Sequence, residues 1–257
     1  MIEIFDFNNK IKQSVNFAYN RFSDGEYYIL NNQYLEISAN KVLIDESKIK
    51  NNYGSIDFKK FDPEIHQTSR DLLIESFTHN QFNYYRGIMC NCCTSITNYN
   101  NQFELLKKNG GNLDEFIVSS NLLVNGNFRF FIEEVLKNIL KRKIVLVINE
   151  NANPSKLSYE KVFWLGNNSF INDLDQIENI KSWISSNKIK DHVFLLSGSS
   201  WAKVAIYQLY RKYPNNTYLD IGTTLNEMLD MPTNRGYLNE YYRNVSGNKD
   251  LNRLCSI

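Results

Sequence analysis

Two carboxylates flanking a glycine, Asp24-Gly25-Glu26, are the residues whose type and spacing point most directly to chemistry. Aspartate and glutamate offer hard oxygen ligands to a divalent cation, and a glycine between them lets the backbone turn or approach a ligand closely. With Arg21 just upstream, the pair can hold a divalent metal against a diphosphate, where the ion neutralises a departing phosphate. The same tripeptide also reads as a solvated acidic turn with Asp24 as a helix N-cap.

A second candidate is Leu195-Leu196-Ser197-Gly198-Ser199-Ser200, an apolar segment that enters a loop of small residues before a helix beginning at Trp201. Free N–H groups and the dipole at a helix start favour phosphate, and Ser197, Ser199 and Ser200 can add hydroxyl donors. An N-cap on a helical crossover is the competing reading. The third candidate is Tyr218-Leu219-Asp220-Ile221-Gly222-Thr223-Thr224, where Asp220 at a strand end can bind ribose hydroxyls, approach a metal or act as a base. Near the C-terminus, Arg235, Tyr237, Tyr241, Tyr242 and Arg243 can clamp a sugar or phosphate, or cover a sheet edge.

These loops need elements to position them. Lys143 to Ile148 is a continuous β-branched run, the mark of a strand buried on both faces. Further strands are expected at Val15–Ser23, Tyr84–Met89, Glu115–Ser119, Val162–Leu165, Asp191–Leu196 and Thr217–Ile221. Helices are expected at Asp62–Thr78, Phe128–Lys141, Leu174–Ser186, Trp201–Tyr213 and Leu225–Leu229. Residues 31–60 read as polar and irregular, with a short strand at Lys41–Ile44. Such alternation implies βαβ units: an α/β, Rossmann-like, mostly parallel sheet with helices on both faces. The expectation is a single domain over 1–257, with 31–60 as an insert and 232–257 as a tail. Ligands of such sheets bind beyond the carboxyl ends of the strands, where all three candidate loops fall.

Composition narrows the function. With 29 basic and 28 acidic residues, the chain lacks the basic surplus of an electrostatic nucleic-acid binder. No signal peptide or membrane-length apolar run is evident, so a cytoplasmic location without a membrane span is expected. Neither GxxxxGK[ST] nor GxGxxG occurs, and His66, His79 and His192 show no ligand-pair spacing. Cys90, Cys92, Cys93 and Cys255 form neither a disulfide framework nor the two spaced pairs usual for structural zinc. The Cys-Asn-Cys-Cys cluster could suggest a metal site, to which only Cys255 could contribute from afar, but small residues packed behind a cleft are the expectation.

Three motifs in order, Arg21-Phe22-Ser23-Asp24-Gly25-Glu26, Phe194-Leu195-Leu196-Ser197-Gly198 with Ala202-Lys203-Val204, and Tyr218-Leu219-Asp220-Ile221-Gly222, resemble those of the GT-D fold glycosyltransferases. That family's domain was first catalogued as one of unknown function. The resemblance spans roughly Phe17 to Gly222, with Ser23 standing where the family often has glycine. It implies transfer of a sugar from a nucleoside-diphosphate donor, a UDP-sugar foremost, to a glycan or glycoprotein acceptor, with manganese at Asp24 and Glu26. Arg21, Gly25, Ser197, Gly198, Ser199, Asp220, Gly222 and Thr223 would line the donor site, and Asp24, Glu26 and Asp220 would be the catalytic candidates. Two alternatives stand beside it. One is an S-adenosylmethionine-dependent methyltransferase using Asp220-Ile221-Gly222; the other is a non-catalytic binding module of a glycan-assembly complex.

Overall fold

Seven short strands align in parallel in the computed structural model, which describes residues 3–38, 41–45, 47–50, 58–232, 235–244 and 254–255. In chain order these are β1 (Ala18–Arg21), β6 (Tyr84–Ile88), β7 (Ile117–Ser119), β8 (Ile144–Asn149), β9 (Lys161–Leu165), β10 (Val193–Leu196) and β11 (Thr217–Asp220). The numbering skips four strands, β2 (Leu35–Ser38), β3 (Lys41–Ile44), β4 (Ser47–Lys50) and β5 (Lys59–Phe61), which form an antiparallel sheet of their own. The main sheet runs β7-β6-β1-β11-β10-β8-β9.

Side-chain alternation along each strand builds two hydrophobic layers. Ile144, Leu146 and Ile148 face one layer and Val145 and Val147 the other; Val193 and Leu195 oppose Phe194 and Leu196 in the same way. Helices α1 (Ile4–Lys12) and α10 (Gly236–Arg243) cover the first layer. So does the helical run 128–139, in which α5 (Phe128–Phe130) and α6 (Leu136–Ile139) flank a π turn at Phe131–Val135. The second layer is covered by α2 (Asp24–Leu30), α3 (Gln67–Thr78), α4 (Ile96–Lys108), α7 (Ser169–Asn172), α8 (Gln176–Ser186) and α9 (Ser200–Lys212). The expected α/β architecture with helices on both faces is therefore present.

Three expectations need correction. Within 31–60 the strand expected at Lys41–Ile44 is β3, but the described residues around it are not irregular: β2, β4 and β5 also form, and Leu35 pairs with Phe61, both side chains joining the second layer. The segment Leu225–Leu229 is a series of turns rather than a helix, although Leu225 and Leu229 are buried as an apolar face would require. Helix α4 was not expected, because its Asn-rich sequence buries only Gln102, Leu105 and Leu106. Among the described residues no helix is long and apolar enough to cross a membrane.

The order of the sheet decides where a ligand fits. From β1 the chain moves outward through β6 and β7, then returns to the other side for β8 and β9 and works back through β10 to β11. Connections leave in opposite directions on either side of β1 and β11, which opens a crevice beyond their carboxyl ends.

Candidate functional site

The parallel register brings the three candidate loops to one level. Ala18 and Tyr19 of β1 pair with Tyr218 and Leu219 of β11, and Leu196 of β10 pairs with Asp220. Arg21, Ser197 and Asp220 thus leave the sheet side by side at the crevice. The Arg21 amide donates to Asp220 Oδ2 (3.4 Å), and Ser197 Oγ donates to the Gly222 carbonyl (2.7 Å). Arg21, Ser197, Gly198, Asp220, Gly222 and Thr223 lie at or just after these adjoining strand ends, while Asp24, Gly25 and Glu26 lie in the first turn of α2, which follows β1.

Asp220 is fully buried, a costly place for a carboxylate unless it is paired. Its partner is Lys203 of α9, itself only 5% exposed, whose Nζ lies 2.6 Å from Oδ2. The Gly222 amide donates to Oδ1 (3.1 Å). Gly222 sits at φ +50°, and a Cβ there would overlap the Arg21 guanidinium; glycine is required both for the turn and for that approach. Arg21 Nε donates to the Ser120 carbonyl (2.6 Å), so the guanidinium bridges β1, β7 and β11. Gly198 has an equally local reason: a Cβ would lie 2.7 Å from Leu165 Cδ1 and 3.0 Å from Trp201 Cε3.

Asp24 and Glu26 are placed differently from each other. The N-cap of α2 is Ser23, not Asp24, and the Ser23 amide and hydroxyl both donate to Glu26 Oε2 (3.1 and 3.0 Å). This is the Ser-x-x-Glu capping box, a signal readable in Ser23-Asp24-Gly25-Glu26 but overlooked there. The other oxygen, Oε1, accepts from Lys59 Nζ (3.0 Å) and Ser200 Oγ (2.6 Å). Burial opposes the Glu26 charge, but Lys203, Lys59 and the Ser200 hydroxyl outweigh it and hold the carboxyl well below the usual carboxylate range. Asp24 instead is exposed in the first turn of α2, and its Oδ1 accepts the Gly25 amide (3.1 Å).

This difference tests the expected metal. A hard divalent ion is commonly held by one or two carboxylates together with substrate phosphates. Asp24 fits that description. Glu26 does not, because both its oxygens are engaged and a lysine ammonium stands where a second cation would repel it. The predicted Asp24–Glu26 ligand pair is therefore split into one open carboxylate and one internal ion pair.

Ser199 precedes α9 with φ +50° and ψ −137°, a conformation that favours glycine. It turns the loop into a 13-residue helix whose first residues, Ser200 to Lys203, are buried beside Glu26. Thr223 Oγ1 shares a hydrogen bond with Tyr237 OH (2.8 Å), which brings α10 to the rim. Ser120 Oγ and Thr224 Oγ1 are buried at the same end without a hydrogen-bond partner.

Sequence reasoning missed two of the cations. Lys203 lies in Ala202-Lys203-Val204 with nothing in its spacing to mark a role, and Lys59 comes from the stretch that reads as irregular. Only its alternation with Lys60 and Phe61 hints that it points inward. Against expectation, too, all four cysteines converge: the Sγ atoms of Cys90, Cys92, Cys93 and Cys255 lie within 4.8 Å of one another.

The fold is similar to three solved structures. One is the domain of unknown function 1792 in selenomethionine form (TM-score 0.57, 11% identity, covering 97% of this chain and 84% of that chain). A second is described as that highly conserved domain with a distinct glycosyltransferase fold (TM-score 0.55, 11% identity, 97% and 84% covered). The third is a new glycosyltransferase of the same domain type from Streptococcus sanguinis (TM-score 0.56, 14% identity, 97% and 94% covered). The chain therefore has the fold described for that domain, over a span that extends beyond Phe17–Gly222. No protein-family model and no curated protein matches the sequence.

Proposed function

We propose that the chain is a glycosyltransferase that takes a nucleoside-diphosphate sugar, a UDP-sugar foremost, and passes the sugar to a glycan or glycoprotein acceptor in the cytoplasm. The observation that carries this is the set of three cations, Arg21, Lys59 and Lys203, gathered at the switch point of a fold shared with glycosyltransferases. Glu26 holds Lys59, Asp220 holds Lys203 and the Ser120 carbonyl holds Arg21 before any ligand arrives, so the positive field at the site needs little reorganisation when a diphosphate enters.

Each group then has a part in the reading. The Arg21 guanidinium, seated over Gly222, and the amino terminus of α9 bind phosphate oxygens as negative charge grows on the departing nucleoside diphosphate. Ser199 positions that helix end. Gly222 and Thr223 line the ribose side, with Tyr237 as a wall. Asp24 is the open carboxylate, available to the acceptor hydroxyl as a base or to a cation. A manganese ion held by Asp24 and the donor's own phosphates would add Lewis-acid neutralisation of the leaving group.

A thermal-shift panel tests the reading. UDP-sugar with manganese should raise the Tm, as any ligand specific to the folded state does, and S-adenosylmethionine should leave it unchanged. The reverse pattern would replace the glycosyltransferase reading with a methyltransferase at Asp220-Ile221-Gly222.

A further inference from the structure

The four cysteines come from two places far apart in the chain. Cys90, Cys92 and Cys93 lie in the turn that follows β6, where the Cys93 and Thr94 amides both donate to the Cys90 carbonyl (3.1 and 3.2 Å). Cys255 arrives 162 positions after Cys93, and its Sγ stops 3.6 Å from that of Cys93. The other close pairs are Cys90–Cys92 at 3.1 Å and Cys92–Cys93 at 3.8 Å. These are the dimensions of a four-sulfur tetrahedron around one ion: zinc–sulfur bonds of about 2.3 Å set the sulfurs roughly 3.8 Å apart. A polynuclear iron–sulfur cluster would hold its thiolates apart by its own width, more than these 4.8 Å allow.

The surroundings are built around the sulfurs. Asn121 Nδ2 donates to Cys90 Sγ (3.4 Å) and Asn125 Nδ2 to Cys93 Sγ (3.5 Å). Asn127 clamps the backbone of Cys255 from both sides: its Oδ1 accepts the Cys255 amide (2.9 Å) and its Nδ2 donates to the Cys255 carbonyl (3.0 Å). One loop, 121–127, thus orients thiols from both segments. Amide donors of this kind stabilise the negative charge of metal-bound thiolates and fix the direction of the ligands. Cys90 and Cys255 are buried, while Cys92 is exposed, so an ion can enter from the Cys92 side.

We propose that Cys90, Cys92, Cys93 and Cys255 hold a structural zinc ion. Binding would release the thiol protons to solvent and leave a four-coordinate, four-thiolate centre with no open position. The ion would fasten residues 254–255 to the turn after β6, next to the Ser119–Asn121 segment whose Ser120 carbonyl receives Arg21. The centre would therefore brace the wall of the crevice without touching a reacting group, and it stands independently of the donor-site reading.

The test is metal analysis of the full chain purified without chelator, followed by X-ray absorption at the zinc edge. The expected result is one zinc per chain with a shell of four sulfurs, and cobalt in its place should give the visible spectrum of a tetrahedral four-thiolate site. Asn121→Ala, which keeps every ligand, should weaken zinc by about 10–100-fold. Cys255→Ser should lose the four-sulfur shell. A metal-free chain whose four thiols all alkylate overturns the proposal, as does a disulfide detected by mass or an iron-loaded site.

Discussion

Two clusters of reactive side chains sit at the carboxyl end of the same sheet, and they manage charge in opposite ways. At β1 and β11 every buried carboxylate has an internal cation: Glu26 has Lys59 and Asp220 has Lys203. After β6 the gathered groups are four thiols with amide donors from Asn121 and Asn125. The first cluster is complete as folded, each buried carboxylate meeting its ammonium within the chain. The second presents four soft ligands to a single point and is suited to take its cation from outside. A buried ionisable cluster is thus better classified by where its countercharge comes from than by its residue types alone.

Breaking the first cluster should have the largest effect. Lys203→Met leaves the Asp220 carboxylate without its ammonium and should cost about 3–5 kcal/mol in urea unfolding, with the UDP-sugar thermal shift lost as well. Metal withdrawal at the cysteines gives the contrast: it should lower the Tm but leave that thermal shift in place.

Glu26→Gln is the next step down. The amide keeps one acceptor oxygen, so it can meet the Ser200 side or the Ser23 amide but not both, and it loses the charge that meets Lys59, for about 1–3 kcal/mol at neutral pH. Its sign with pH follows from the depressed carboxyl. The stabilisation is fully present above the ordinary glutamate value of about 4.3 and is lost as pH falls through the lower folded value. Acid-titrated unfolding should therefore show a loss below about pH 4 in the wild type that is flattened in the variant. The smallest change in stability is expected for Gly222→Ala. A left-handed backbone costs alanine about 1–2 kcal/mol, yet the methyl must displace the Arg21 guanidinium, so donor binding should fall far more than the Tm.

Much of the fold was legible because its signals are local. The run Lys143 to Ile148 announces a strand covered on both faces, and β8 is buried from Ile144 to Ile148. The strand-end loops at Arg21, Ser197 and Asp220 follow from the same alternation. Of the antiparallel sheet only β3 was legible, as the short strand at Lys41–Ile44; the other strands are short and set among Asn and Lys, and the β2–β5 pairing joins residues across two intervening strands. Lys59 was lost with it. Cys255 was undervalued for a related reason: spacing along the chain carries no trace of a contact made across 162 positions. The Asp24–Glu26 pair is the opposite case: close spacing suggests a shared ion, while the capping box turns one carboxylate inward.

The most direct test of the central claim is nucleoside-diphosphate release by the full chain over a panel of nucleotide-sugars, with Lys203→Met as the control. The account predicts release from at least one donor, foremost a UDP-sugar, and its loss in the variant. No release from any donor by a folded, monodisperse wild-type chain, or release that Lys203→Met leaves unchanged, would contradict it.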